Sequence, residues 1–449
     1  MNRTFDTALP AGRNAGVLLP WQGCWQARAR DLAVPAELMA ACLPLVVVQD
    51  RGCYRIGVLG YSDREHVSAV SAQHDGKTLK FSFAGHWDTS PQWTVQDCSS
   101  YPECLNWIRG QFPVLQASAG LSFKRMFILD IHDPYDNLLQ TFADVSRFVR
   151  QCADTGLSEG TLYYLPGWSG SFDKNYPDYT PAADAGGEAA FAELIRTARE
   201  CGGEVFPHIN HWALSHHVSA RYPQLMQHVL RDAAGNRAEW PGYLWCGVGH
   251  PLYYIDPSSD PWIEIMHDRL TRLEKLGLKT VFMDQVGTPM CNNVGKPTQT
   301  NENWRPQMVA FMQRITKLHP RMVMGCESFT LDALPGFPLA QFWGPVWSAS
   351  METPRLKPCR LLTDAIGSSA QLVGHLGTLA PYPCRYAWTN YLYLAEHGSA
   401  RAFRKSRETH AAAGVLPTAR LISTFTKENH RFLKSFRDAS SAASSATGG

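Results

Sequence analysis

Two successive segments of the sequence share a design that limits the choice of fold. Residues 278–287 read LKTVFMDQVG, a short apolar run that ends on Asp284. Residues 321–328 read RMVMGCES, a similar run that ends on Glu327. An apolar run of this length between turn residues is typical of a buried parallel strand. A helix is predicted between the two runs, at 307–318, so they form a strand–helix–strand unit with both acids at one end of the sheet.

The pattern of strands alternating with helices extends over most of the chain. Helices are predicted at 138–155, 188–201 and 263–276, and a shorter one at 220–233 in a long excursion that we expect to roof the site. Together these segments predict an α/β fold, a (β/α)8 TIM-type barrel over residues 121–425. The further strands are predicted at 123–133, 160–170, 203–215, 340–344, 371–377 and 416–425.

The first 120 residues have a different pattern. Short strand-like runs are separated by turn residues such as Asp75-Gly76, and Leu79, Phe81 and Phe83 alternate as in a strand with one covered face. These features predict a partial β-sandwich-like domain at 1–120, which ends in a linking helix at 101–112. Residues 426–449 are predicted to be a C-terminal tail that is disordered at its serine- and alanine-rich end.

Composition excludes several classes of function. The net charge is only +2 and no basic run occurs, so we expect neither nucleic acid nor a membrane as partner. The 12 cysteines are scattered without a CxxC, which indicates reduced thiols and, with no signal peptide in this sequence, a cytoplasmic location. Export stays open if the natural chain is longer. The sequence leaves the oligomeric state open.

The two strand-end acids predict a chemistry. Glycoside hydrolysis needs a pair of carboxyl groups, one that protonates the leaving oxygen and one that acts as nucleophile or base. Asp284 and Glu327 are therefore the catalytic candidates, and a carbohydrate is the expected substrate. The alternative for each acid is a structural ion pair at a strand end. No dinucleotide-binding, P-loop or serine-hydrolase motif is present, and neither a cofactor nor a metal is expected.

Polar and aromatic residues at the predicted strand ends are the candidates for binding substrate. The polar ones are expected to hold sugar hydroxyls, and one or two of the tryptophans to stack on sugar rings, although each side chain could instead cap a helix or pack in the core. His208 and Asn210 share one strand face because their spacing is two. The substrate-binding candidates are Asp130, His132, Trp168, His208, Asn210, Trp212, Gln285 and Trp343.

Two other classes of function remain open from the sequence. The barrel could bind carbohydrate without hydrolysing it, in which case the two carboxyls need not face each other. A metal-dependent hydrolase could instead use His132, His208 and His211, because histidine clusters with carboxylates suit a hydrolytic metal. The chain has no HExxH, so the sequence signal for a metal is weak.

Several longer motifs, taken in order, resemble a known group of proteins. DIHDPYDN, YYLPGWSGSFDKNYPDYTP, INHW, YYIDPSSDPW, VFMDQVG and CES lie within residues 43–380, the span of the resemblance. It is to uncharacterised bacterial glycoside-hydrolase-like barrels, catalogued as a domain of unknown function and similar to the α-galactosidase and endo-α-N-acetylgalactosaminidase superfamily. The resemblance implies that Asp284, which ends the fourth strand, is the nucleophile, that Glu327 is the acid/base, and that an α-linkage is cleaved with retention.

Overall fold

The structure is a computed structural model of the chain. Its description covers residues 2–20, 25–32, 39–40, 43–60, 66–87, 90–116, 120–133, 136–171, 174–231, 235–240, 250–285, 304–327, 330–342, 357–366, 371–374, 416, 418–421 and 433.

Nine strands precede residue 100. They are β1 Asn2–Pro10, β2 Gly16–Leu19, β3 Trp25–Arg28, β4 Met39–Ala40, β5 Leu45–Asp50, β6 Cys53–Leu59, β7 His66–His74, β8 Thr78–His86 and β9 Trp93–Cys98. They form two antiparallel sheets, one in the order β1-β8-β7-β4 and the other containing β3-β2-β5-β6-β9. The alternation at Leu79, Phe81 and Phe83 buries all three side chains, as predicted. The strands before residue 43 were not predicted.

Twelve further strands follow. They are β10 Arg125–Leu129, β11 Thr161–Leu165, β12 Glu204–Asn210, β13 Ala213–Ser215, β14 Glu239–Trp240, β15 Leu252–Tyr254, β16 Thr280–Asp284, β17 Val323–Cys326, β18 Leu339–Phe342, β19 Lys357–Pro358, β20 Gln371–Gly374 and β21 Thr418–Leu421. Eight of them form one parallel sheet in the order β20-β18-β17-β16-β12-β11-β10-β21. From β10 to β20, each strand lies beside the next parallel strand along the chain, and the last, β21, pairs with the first, β10.

The parallel sheet is curled around its own apolar core. Met126 and Ile128 of β10 lie in an inner cluster with Tyr164, Phe206 and Phe282. The residues between them in sequence, such as Phe127 and Leu129, belong to the large outer core beneath the helices. This alternation is what a sheet covered on both faces requires. Cα atoms of β10 come within 8 Å of those of β20, the seventh parallel strand.

Six α-helices lie among the described residues: α1 Tyr101–Gln111, α2 Phe142–Asp154, α3 Gly187–Glu200, α4 Asp260–Lys275, α5 Trp304–Leu318 and α6 Arg360–Ile366. Helices α2, α3 and α5 each follow a parallel strand directly, as βα units require, whereas α4 and α6 follow the short antiparallel strands β15 and β19. Thr141 starts α2 with a capping box, in which its hydroxyl accepts from the Asp144 N–H and the Asp144 carboxylate accepts from the Thr141 N–H. None of the described helices is long and apolar enough to cross a membrane.

The excursion between β12 and α4 is built differently from the prediction. A single strand was predicted at 203–215, but the chain breaks after Asn210 and continues as β13, which joins β15 and β14 in a small antiparallel sheet. The helix predicted at 220–233 is replaced by two short 3-10 helices, Ser219–Arg221 and Pro223–His228. Pro223 starts the second of them and lacks an N–H, so it does not continue a regular helix. Two more 3-10 helices are Ala29–Leu32 and Pro113–Gln116.

Candidate active site

The register of three neighbouring strands brings the predicted acids together. Asn210 at the end of β12 lies opposite Asp284 at the end of β16. Met283 of β16 lies opposite Cys326, so Glu327 follows directly at the same end of the sheet. The backbone N–H of Glu327 donates to the carbonyl of Met283 at 3.0 Å. Because parallel strands end together, the order of the strands alone places the two carboxyls side by side.

The side chains of Asp284 and Glu327 are hydrogen-bonded to each other. Burial raises the pKa of the Asp284 carboxyl well above its ordinary value, and the neighbouring charge of Glu327 raises it further. Two carboxylates in contact cannot both ionise easily, so a hydrogen bond between them requires one shared proton. A carboxyl that keeps a proton and a partner that carries a charge are the two states that acid–base catalysis needs.

Asn210 holds the Asp284 carboxyl from the side. Its side-chain oxygen accepts from the backbone N–H groups of Trp212 and Ala213, both at 3.0 Å. That orientation turns the Asn210 amide nitrogen toward the pair, where it donates to Oδ2 of Asp284 at 3.1 Å and to Oε1 of Gln285 at 3.3 Å. The Asn210 side chain is fully buried, and these bonds use both of its polar atoms.

Gln285 connects the two acids through its backbone. Its N–H donates to Oε2 of Glu327 at 3.0 Å, and its side-chain oxygen accepts from the indole N–H of Trp212 at 3.2 Å. The backbone φ of Gln285 is 63°, a left-handed conformation that costs free energy for a residue with a Cβ. A strained backbone conformation of this kind persists where surrounding hydrogen bonds stabilise it. Here the conformation of Gln285 keeps its backbone N–H in hydrogen-bond contact with Glu327.

Two histidines lie beneath and beside Asp284. The ring nitrogen Nδ1 of His211 lies 2.9 Å from the carbonyl oxygen of Asp284, and because a carbonyl only accepts, that nitrogen carries its proton. Nε2 of His208 lies 3.8 Å from Oδ2 of Asp284. The Tyr164 hydroxyl oxygen lies 2.5 Å from Nδ1 of His208. Burial lowers the pKa of both imidazoles to about 3, so they are neutral at neutral pH.

Buried aromatic side chains anchor the end of β12 that carries these groups. The Tyr179 hydroxyl accepts from the backbone N–H of Asn210 at 2.8 Å and donates to its carbonyl at 2.9 Å. The indole N–H of Trp168 donates to the carbonyl of His208 at 2.7 Å, and that of Trp262 donates to the carbonyl of His211 at 2.6 Å. These bonds replace strand pairing where β12 ends, so the segment stays rigid.

The structure does not bring all of the predicted substrate-binding residues to the acid pair. The Trp168 ring is fully buried and stacks on Phe191 of α3, with ring centroids 4.9 Å apart. Trp212 is also buried, but its indole N–H contacts the site through Gln285. Asp130 is fully buried at the end of β10. Trp343 lies outside the described residues.

His132 contacts a different set of groups. Its Nδ1 lies 2.8 Å from the carbonyl oxygen of Gly167, and its Nε2 lies 3.0 Å from Oδ2 of Asp184. Both ring nitrogens are therefore occupied, and the structure does not join His132 to His208 and His211. Within the described ranges, no group of three or more histidine, cysteine, aspartate or glutamate side chains has an arrangement that could hold a metal ion.

The contacts of Tyr164, Tyr179 and Trp262 were not predicted from the sequence. Tyr164 lies in a strand whose residues are all buried, so period-two alternation with polar residues does not reveal which face is inside. The only sequence signal is its even spacing from Leu162, which places the two on one strand face. Tyr179 lies in a loop and Trp262 lies in helix α4. Their hydrogen-bond partners at the end of β12 are decided by tertiary packing, which the sequence pattern does not reveal.

Comparisons with known proteins bear on the fold of the chain. Residues 150–317 match the family described as Domain of unknown function (DUF6259). A search of the curated proteins finds no match. In fold, the chain is similar to an α-N-acetylgalactosaminidase from Bifidobacterium bifidum: the ligand-free structure has a TM-score of 0.64 at 12% identity, over 96% of this chain and 74% of that one. In that enzyme's complex with GalNAc, the TM-score is 0.59 at 12% identity, over 83% of this chain and 66% of that one, just under two thirds.

Two further solved structures share the fold. An α-galactosidase from Thermus thermophilus, in complex with p-nitrophenyl α-D-galactopyranoside, has a TM-score of 0.58 at 11% identity, over 97% of this chain and 88% of that one. A cycloalternan-degrading enzyme from Trueperella pyogenes has a TM-score of 0.58 at 12% identity, over 98% and 67%. Residues 150–317 thus match the family described as Domain of unknown function (DUF6259), and the chain has a fold shared with solved glycoside hydrolases, as its motifs predict.

Proposed function

We propose that this protein is a glycosidase that cleaves an α-O-glycosidic bond with retention of configuration. The observation that carries the proposal is the hydrogen-bonded pair of Asp284 and Glu327 at the ends of adjacent parallel strands. Retaining glycosidases keep their two carboxyl groups about 5–5.5 Å apart, whereas inverting ones separate them by about 6.5–9.5 Å to admit a water. Carboxyls in contact are on the retaining side of this division. The α-linkage rests on the family resemblance and on the names of the structural neighbours.

In the proposed mechanism the sugar enters between the two carboxyls and separates them. Glu327 takes the shared proton and gives it to the leaving oxygen, while ionised Asp284 attacks the anomeric carbon. Water then attacks the glycosyl–Asp284 ester, and Glu327 accepts its proton. Asn210 holds Asp284 in line, and the N–H of Gln285 holds Glu327. The half-buried side chain of Gln285 follows directly after Asp284 and is proposed to contact the sugar.

The fold proposal extends in the same direction. We propose that the parallel sheet closes into a complete (β/α)8 barrel, which the approach of β10 to β20 supports. The two antiparallel sheets are proposed to form a sandwich, because side chains of both belong to one core and Phe83 contacts Trp93 with ring centroids 5.8 Å apart. The described cysteines are free thiols, in keeping with the proposed cytoplasmic location.

The experiment compares Asp284→Asn and Glu327→Gln on p-nitrophenyl α-galactoside and α-N-acetylgalactosaminide. Asp284→Asn is expected to lose roughly 10³-fold in kcat/KM on either substrate that the wild type cleaves, because it removes the nucleophile. Glu327→Gln is expected to lose about 10²–10⁴-fold on an alkyl glycoside but less on the nitrophenyl one, whose leaving group needs little protonation.

Controls and contrary outcomes follow from the same substitutions. The control is Glu159→Gln, the same substitution at an exposed glutamate that is paired with Lys124. This variant is expected to keep full activity. The first-formed anomer, read by NMR, should retain its configuration. Inversion would overturn the nucleophile assignment, and full activity in both site variants would overturn the proposed function. Sugar binding without hydrolysis would favour the non-catalytic barrel, and loss of activity with a chelator would favour the metal hydrolase.

A further inference from the structure

His208 forms the floor under the acid pair. It lies two residues before Asn210 on β12, so its side chain points into the same interior one step deeper. The imidazole packs between Phe282, at a centroid distance of 5.4 Å, and Tyr176, at 6.3 Å. Its Nε2 is directed at Oδ2 of Asp284, 3.8 Å away. This distance is beyond a hydrogen bond in the resting pair, in which Asp284 is bonded to Glu327 instead.

Tyr164 contacts the nitrogen of His208 that lies away from Asp284. Its hydroxyl lies 2.5 Å from Nδ1, at the inner end of the imidazole. Tyr164 is itself buried among Phe206 and Phe282 of the inner core, so its ring cannot turn away without losing that packing. A phenol hydroxyl can donate or accept, but only one that donates to Nδ1 leaves the imidazole proton on Nε2, the nitrogen nearer the acceptor oxygen of Asp284. The hydrogen on Nε2 then faces Asp284.

The donors around the acid pair show why this matters. In the resting site, Asp284 accepts from the side-chain amide of Asn210, and the backbone N–H of Gln285 contacts both Asp284 and Glu327. A donor that both carboxyls share does not decide which of them ionises. Catalysis needs an unequal result, with Asp284 ionised and Glu327 protonated. A further donor that reaches Asp284 alone supplies the difference once the sugar has broken the carboxyl–carboxyl bond.

We propose, given the glycosidase function above, that Tyr164 and His208 are a positioning pair that keeps Asp284 ionised and leaves the proton on Glu327 when a sugar separates them. Tyr164 sets the tautomer, and His208 turns its Nε2–H to the carboxylate of Asp284. The pair supplies a dipole rather than a charge, because burial keeps the imidazole neutral. A neutral donor leaves the carboxylate of Asp284 nucleophilic. An imidazolium would instead form a tight ion pair with that carboxylate and lower its nucleophilicity.

Tyr164→Phe tests the proposal, since it removes the hydroxyl and keeps the packing. His208 can then carry its proton on Nδ1 and turn a lone pair toward Asp284, which disfavours the carboxylate. We expect kcat to fall about tenfold with KM within about twofold, which is the loss of one hydrogen bond of roughly 1.4 kcal/mol. The acidic limb of the kcat profile, which reports the enzyme–substrate complex, should move to higher pH, because the form with ionised Asp284 is less favoured.

Tyr163→Phe is the matched control. Tyr163 precedes Tyr164 on β11 and is equally buried, but it faces the outer core, where its hydroxyl contacts Ser158 at 2.8 Å. Its removal should leave the pH profile unchanged. The second variant is His208→Gln, whose amide can donate to Asp284 without help from Tyr164. In that background, Tyr164→Phe should move the acidic limb no further.

The outcomes separate this inference from the function on which it rests. If the wild type hydrolyses neither aryl α-glycoside, both the glycosidase proposal and the positioning-pair proposal are wrong. If the wild type is active but Tyr164→Phe does not shift the pH profile, the positioning-pair proposal is wrong and the glycosidase proposal stands. Equal shifts in Tyr164→Phe and Tyr163→Phe would assign the effect to general loosening of β11. A tyrosine effect that persists in the His208→Gln background would also overturn the proposal, because the effect would then not pass through the imidazole.

Discussion

The carboxyl of Asp284 occupies a buried position that is unfavourable for the stability of the folded protein. Its side chain is 13% exposed, and burial together with Glu327 raises its pKa. A raised carboxyl pKa means that the folded state binds the proton more tightly than the unfolded chain does. The site therefore lowers the stability of the protein at neutral pH, which is a common consequence of assembling charged groups for catalysis.

The first prediction is that Asp284→Asn stabilises the protein while abolishing activity. Because the folded pKa is raised, the destabilisation by Asp284 is absent below the unfolded pKa near 4 and grows as the pH rises toward the folded pKa. Asparagine does not titrate, so the melting temperature of the variant should exceed that of the wild type by roughly 2–4 °C at pH 7. The difference should vanish near pH 4.

Asp184→Asn is the control, with the opposite sign. The bond to His132 lowers the pKa of Asp184, so this acid contributes stability above the unfolded pKa that is lost as the pH falls through the folded value. Its removal should lower the melting temperature at pH 7, by a small amount because its side chain is 62% exposed and screened by solvent. Parallel changes in the two variants would contradict the assignment of a raised pKa to Asp284.

At the scale of elements, the end of β12 depends on side chains from outside the strand. Trp168 arrives from the loop after β11 and Trp262 from α4, and each donates its indole N–H to a backbone carbonyl of the segment, at His208 and His211. Both rings are fully buried. The two tryptophans therefore make the same kind of hydrogen bond to one backbone segment. Only Trp168 has a sequence context that predicts sugar binding.

The second prediction compares Trp168→Phe with Trp262→Phe. Each change keeps an aromatic ring and leaves one buried carbonyl without its donor, at a cost of about 1–3 kcal/mol in unfolding free energy. If Trp168 is an anchor, both variants should lose similar stability in denaturant unfolding and keep KM within about twofold of the wild type. A selective rise of KM in Trp168→Phe, with stability preserved, would restore the sugar-stacking role.

Local patterns predicted more of the elements than of the contacts between them. The apolar run before Asp284 and the spacing to Glu327 were sufficient to predict β16, α5 and β17, because burial and periodicity are local properties. The same patterns placed helix α2 within a few residues of its bounds. They did not predict the break of the chain after Asn210, since the side-chain cap that Asn210 gives to Trp212 and Ala213 depends on its neighbour Asp284.

The candidate site divides in the same way. Asp284, Glu327 and Asn210 were recognised because polar residues at the ends of buried strands are unusual in sequence. The proposed role of Tyr164 was not, because it follows from a side-chain contact between the neighbouring strands β11 and β12. His132 was placed with the site on the strength of its strand end, but its partners are Gly167 and Asp184. Side-chain direction at a strand end is decided by tertiary packing, which one sequence does not contain.

At the scale of the whole molecule, the amino-terminal sheets and the parallel sheet share elements. Strand β19, from the segment between β18 and β20, pairs with β3 and extends the amino-terminal sheet. Helix α6 of the same segment packs against α1. The domain boundary at residue 120 therefore stays a prediction from the sequence pattern. The contacts of β19 with β3 and of α6 with α1 join residues on both sides of it. A molecule joined in this way should unfold as one unit rather than as two.

Asp364 of α6 is the polar centre of this junction. The Tyr101 hydroxyl donates to its carboxylate at 2.6 Å, and Arg109 donates to its carbonyl, also at 2.6 Å. Burial and the bond to Asp364 raise the pKa of Tyr101, so the phenol keeps its proton and remains the donor. A hydrogen bond to a charged group that is partly withdrawn from water contributes more than a surface ion pair.

The third prediction is therefore a comparison of two double-mutant cycles. Tyr101→Phe with Asp364→Asn should give a coupling free energy of about 1–2 kcal/mol in urea unfolding. Arg55→Met with Asp97→Asn should give less than about 1 kcal/mol, although that pair has two short bonds, 2.6 and 2.8 Å, because both side chains are exposed. Calorimetry of the wild type should show a single transition. Equal couplings, or a wild type that melts in two steps, would mean that the junction does not hold the two parts together. A single transition, together with the larger coupling at Asp364, would instead indicate that the amino-terminal sheets help to support the acid pair. The reason is that α6 follows β18 and precedes β20 of the parallel sheet along the chain.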